Sequence, residues 1–152
     1  MGTPALKRSW GFVGLSALNA DTGNNFKIQL EAAGTPSAVA AGDLIICAVA
    51  CKNSDIPTIS DDKSNTWATA VTVSNAGLAT PRKYTIFYAV NAAANTSLIT
   101  VGFGGLTTNV QIDVAVFYNT ATSSPLDGTV ATVGIIPTSN TAPNIQDRKS
   151  VV

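Results

Sequence analysis

Residues 110–118 read VQIDVAVFY, and their alternation decides the fold. Val110, Ile112, Val114, Val116 and Tyr118 fall on one face of an extended chain, with Gln111, Asp113 and Phe117 on the other. Successive side chains on a pleated backbone point to opposite sides, so a period of two marks a strand with one buried face. The same period recurs upstream. FKIQL (26–30) sets Phe26, Ile28 and Leu30 against Lys27 and Gln29, and TWATAVTV (66–73), KYTIFYAV (83–90) and SLITVGF (97–103) follow in the same manner. LIICAVA (44–50) is instead almost continuously apolar, the pattern of a central strand covered on both sides.

The breaks between these runs supply the chemistry that turns need. AAGD, KNSDIP, DDKSN, SNAGLATPR, NAAANT and GGLTTN are rich in Asn, Asp, Gly, Ser or Pro. Six or seven short strands so punctuated predict an all-β fold: an antiparallel two-sheet β-sandwich, jelly-roll or immunoglobulin-like. After Asn119 the pattern thins to one candidate strand, Thr129 to Ile136, between proline-bearing segments.

Composition agrees with this class. The chain has 152 residues, 45% of them hydrophobic and only 12% charged, enough for one domain with a core and too apolar for a disordered chain. Its formal net charge is zero, which argues against a nucleic-acid partner. No apolar run approaches the roughly 20 residues that span a bilayer as a helix, so membrane insertion is not expected. Lys7-Arg8 followed by SWGFVGLSALNA imitates a signal peptide cleaved after Ala20, but Gly11, Gly14 and Ser16 dilute it, and an opening strand is the better reading.

Several chemistries are poorly provided for. There is no histidine, which removes the commonest general base and the usual nucleophilic triads. Four strand residues cover about 13 Å, whereas a disulfide needs Cα atoms within about 7 Å, so Cys47 and Cys51 are expected as two buried thiols. A four-ligand zinc site lacks soft ligands, and neither a metal nor a cofactor is expected. Asp61-Asp62-Lys63-Ser64-Asn65 fails as a calcium loop, because Lys63 holds the third position and Thr66 the sixth. Gly102 to Gly105 follow a strand without the helix or Lys-Ser/Thr of a phosphate loop. Paired carboxylates for glycoside hydrolysis would come from Asp21, Glu31, Asp43, Asp55, Asp61, Asp62, Asp113 and Asp127, nearly all at turns, with Asp113 alone inside a strand. No enzymatic activity is therefore expected. Flat rings could stack on a sugar, and Trp67, Trp10 and Tyr88 are the candidate ligand-binding residues; for Trp67, which follows a turn and opens a strand, the competing reading is a core position.

The order AGDLIICAVA, SDDKSNTWATAV, KYTIFYAVNAAANTSLITVGF and VQIDVAVFYNTATSSPLDG resembles a family of β-sandwich modules found in secreted bacterial proteins and in phage virion or tail-associated proteins. In that family a Gly-Asp-Leu turn precedes the central strand and an Asp-x-x-Gly/Ser-Asn-Thr-Trp/Tyr turn begins the third. A Tyr-Ala-x-Asn segment ends the fourth. The likeness covers roughly residues 25 to 128 and departs at Phe117-Tyr118-Asn119, where relatives carry an aromatic residue followed by Ser-Gly. It implies a non-enzymatic structural or adhesion module, located in a virion or at the cell surface or outside the cell, whose partners are other virion or surface proteins. The alternative is a carbohydrate-binding module that meets glycans through exposed aromatic rings. An enzyme built on paired aspartates is the third reading.

The final residues, DRKSVV (147–152), match residue for residue the in-frame translation of a common sequencing adapter, GAT CGG AAG AGC GTC GTG. The expectation is a single sandwich domain over 1–146, truncated and loosely packed over 120–146, and a non-native tail over 147–152, as in a metagenomic fragment.

Overall fold

The computed structural model describes residues 4–14, 24–31, 34–35, 38–75, 81–105, 107 and 110–121, with backbone alone for 8–14 and 75. Among these residues there are eight strands and no helix: β1 (Ala5–Gly14), β2 (Asn25–Gln29), β3 (Leu44–Lys52), β4 (Pro57–Asp61), β5 (Ala68–Asn75), β6 (Arg82–Ala89), β7 (Leu98–Phe103) and β8 (Val110–Tyr118). The expectations for Ala20, for Thr129 to Ile136, and for the tail at 147–152 lie outside the described residues, as does nearly all of 120–146.

Two antiparallel sheets form, a five-stranded one in the order β1-β8-β3-β6-β5 and a three-stranded one in the order β2-β7-β4. The pairs β1·β8, β2·β7 and β3·β6 are nested, first with last and inward, which is the winding of a jelly roll. β5 departs from a full roll. It pairs with β6 as a hairpin, with a bulge between Thr69 and Val71, and does not lie beside β4.

Alternation in the sequence translates directly into the core. Val110, Ile112, Val114 and Val116 of β8 face Ile45, Cys47, Val49 and Cys51 of β3 along one inner surface, joined by Phe87 of β6. Phe26 and Ile28 of β2 with Ile99, Val101 and Phe103 of β7 supply the opposing surface. Phe26 and Phe103 meet edge to face, with centroids 5.6 Å apart and planes at 84°. Tyr118, read from sequence as part of the inner row, is 41% exposed, because the strand ends there and Asn119 turns away with a positive φ of 58°. Both cysteines are free and buried.

Two further findings differ from the sequence reading. β4 occupies a stretch flanked by turn residues on both sides, and its opening Pro57 is tolerated because β4 is the edge of its sheet. β3 is central and fully buried on one side, but on the other Leu44, Ile46, Ala48 and Ala50 are only half-buried. Among the described residues they are shielded by side chains of neighbouring strands, not by a second layer.

Candidate functional site

The turns at one end of the sandwich are bound into a single hydrogen-bonded unit. The turn at Ala40–Asp43 closes with Asp43 N–H on Ala40 O at 3.2 Å, and Gly42 takes the φ of 89° that the third position of such a turn requires. The Asp43 carboxylate, buried, accepts from Ala40 N–H at 2.8 Å and from Lys7 Nζ at 2.9 Å. The β1 register shifts between Leu6 and Arg8, and that bulge is where Lys7 reaches across to Asp43. Gly42 and Asp43 are tied in turn to Ala92 of the β6–β7 connection.

Residues 61–67 carry the chain from one sheet to the other. Asp61 Oδ1 accepts the N–H groups of Lys63 and Asn65, while Oδ2 accepts the Trp67 indole N–H at 2.6 Å. Ser64 adopts a φ of 57°, the left-handed conformation that lets Asn65 turn inward. Asn65 then donates to Thr96 Oγ1 at 2.9 Å and accepts from Ala93 N–H at 2.7 Å. Asp62 accepts from the N–H and hydroxyl of Ser97 and from Leu98 N–H. Burial alone would raise the Asp62 pKa, but these hydrogen bonds, led by the Ser97 hydroxyl, outweigh it and hold the carboxyl below its usual value.

At the other end, Asp55 performs the same service for the β3–β4 turn. Its carboxylate accepts from the Thr107 hydroxyl and its carbonyl from Lys83 Nζ. The carboxylates of Asp43, Asp55, Asp61 and Asp62 are thus each engaged with a loop. Among the described aspartates, Asp113 is the one that stands on a sheet face, exposed, where it accepts from the Gln111 amide at 3.3 Å.

That face carries the candidate site. On the outer side of the five-stranded sheet, two consecutive rungs read Asp113–Ala48–Ile86–Val71 and Gln111–Ala50–Tyr84–Val73 across β8, β3, β6 and β5. The two alanines lie low between taller neighbours, leaving a furrow of about 270 Å³ floored by Ala48 and Ala50. Tyr84 and Ile86 form one wall, Gln111 and Asp113 the other. One strand separates the walls, which puts them about 9–10 Å apart from strand spacing. On the next rung Ile46 replaces alanine and fills the floor, flanked by Tyr88 and Ala115.

The residues singled out from sequence fall in three different settings. Trp67 is half-buried against the core with its N–H taken by Asp61. Trp10 pairs through its backbone with Val114, and its side chain lies outside what is described. Tyr88 is on the outer face between Ile46 and Ala68, two rungs from Tyr84, and does not line the furrow. The sequence reading missed that Tyr84 and Asp113 line one furrow. The available signal was the apolar character of both faces of KYTIFYAV, together with Ala48 and Ala50 on the outward positions of a strand whose inward positions are Val49 and Cys51.

Comparison with family models, with curated proteins and with solved structures found no match for this chain.

Proposed function

We propose that the chain is a non-enzymatic structural or adhesion module of a virion or of a bacterial surface or secreted protein. The observation that carries this reading is the outer sheet face, where Tyr84 is 47% and Ile86 37% exposed beside a furrow, on a frame whose described turns are tied at both ends. Isolated exposed apolar side chains are ordinary, but an aromatic and an aliphatic side chain adjoining a concave strip of half-buried alanines form a surface suited to contact. The four loop-bound aspartates support the same reading, since their lone pairs are spent on backbone and side-chain donors of the fold. Partners are other virion or surface proteins, or the glycans displayed on them. Mass spectrometry of purified virus particles and of cell-envelope and secreted fractions from samples that carry its gene tests it. Recovery of peptides from one of those fractions is expected, and consistent absence from all of them overturns the reading.

A further inference from the structure

We propose that the furrow between Tyr84 and Asp113 is a binding site for one neutral sugar ring, held on the Ala48–Ala50 floor; this rests on the adhesion reading and names its ligand. The volume, about 270 Å³, lies just under the range of about 300–1,000 Å³ typical of larger organic ligands, which leaves room for a single ring and not for a cofactor. The chemistry of the two walls is unequal. Tyr84 and Ile86 with the alanine floor present an apolar surface, to which a pyranose offers its flat face of C–H groups. Gln111 and Asp113 oppose it with an amide that both donates and accepts and a carboxylate that only accepts. Vicinal hydroxyls both donate and accept, so they satisfy this wall completely.

Charge narrows the class further. Among the described residues, Asp113 is the only charged side chain lining the furrow, so an anionic ligand is repelled. A cation would gain from Asp113, but recognition of an ammonium group relies on ring faces, best supplied by several aromatics, and here a single ring is present. A neutral polyol with one apolar face uses every group present.

Amide chemical shifts of the isotopically labelled chain, titrated with the methyl glycosides of glucose, galactose and mannose and with N-acetylglucosamine, test the assignment. Saturable shifts with at least one of these, centred on residues 48–50, 84–86 and 111–113, are expected. Tyr84→Ala and Asp113→Asn, at exposed positions, should each weaken that binding about tenfold, the loss of one stacking or one charge-assisted contact. Tyr118→Ala, exposed elsewhere, should leave it unchanged. The proposal is overturned if none of the four sugars saturates. It is equally overturned if the shifts centre elsewhere and survive Tyr84→Ala, or if tetramethylammonium moves the same amides at lower concentration than any sugar. Failure of the titration refutes the ligand, whereas absence from particles and envelopes refutes the adhesion reading, so the two are told apart.

Discussion

Replacing Trp67 by Phe keeps an aromatic ring against the core and removes only the indole N–H donated to Asp61. Because that carboxylate is half-buried and charged, the loss should lower stability by about 1–2 kcal/mol, read from urea denaturation midpoints. A change within a few tenths of a kcal/mol would show that the 2.6 Å bond contributes nothing. At this scale the sequence reading went as far as local chemistry allows. Asp61 to Asn65 were readable as a turn, since Asp and Asn bond their own backbone there. Where Asn65 and Asp62 send their other hydrogen bonds was not readable, because Thr96, Ala93 and Ser97 are about thirty positions away and come close only when the sheets stack. Backbone conformation was equally hidden: Ser64 adopts a φ of 57° and Asn91 a φ of 52° where β6 ends, and Asp43 locks its own turn.

Gly102 decides how closely the three-stranded sheet is built. It is the central strand's outward position, opposite Asn25 on β2 and Thr58 on β4, whose side chains close over it. A Cβ there would sit 2.6 Å from Asn25 Oδ1 and 2.9 Å from Thr58 Oγ1, so Gly102→Ala must displace both. We expect a loss of about 1–3 kcal/mol in thermal or chemical unfolding, with the strand pairing retained; an unchanged or raised melting temperature would contradict this. The longer strands were legible, since Val110 to Val116 and Phe26 to Ile28 alternate cleanly. β4 was not, because a five-residue edge strand with Thr58 and Ser60 outward and only Pro57 and Ile59 inward offers too short a pattern. The furrow escaped for a different reason. It depends on which residues of β8 and β6 flank Ala48 and Ala50, and register is a property of pairing that no single strand displays.

For the molecule as a whole, the buried thiols report on the integrity of the sandwich. Burial first, and the negative charge of Asp113 second, push the Cys47 pKa from 9.0 up to about 12. A pKa raised in the folded state contributes stability that is complete below the unfolded value and lost as pH climbs from about 9 towards the folded value. The cost of Cys47→Ala should therefore be constant from neutrality to about pH 9 and shrink above it, measured by denaturant titration at each pH; a cost independent of pH up to 11 would contradict the linkage. Native protein at pH 8 should resist iodoacetamide at both cysteines until it unfolds. The nested winding also bears on how the chain is made. β8 sits between β1 and β3, so the first and third strands to leave the ribosome have no neighbour on that side until residue 118 has been synthesised. Through that interval the apolar LIICAVA segment is a half-satisfied edge, open to pairing with whatever is near. Productive folding must await the eighth strand, so nascent chains stalled before Val110 would be the form of this protein that most needs a chaperone.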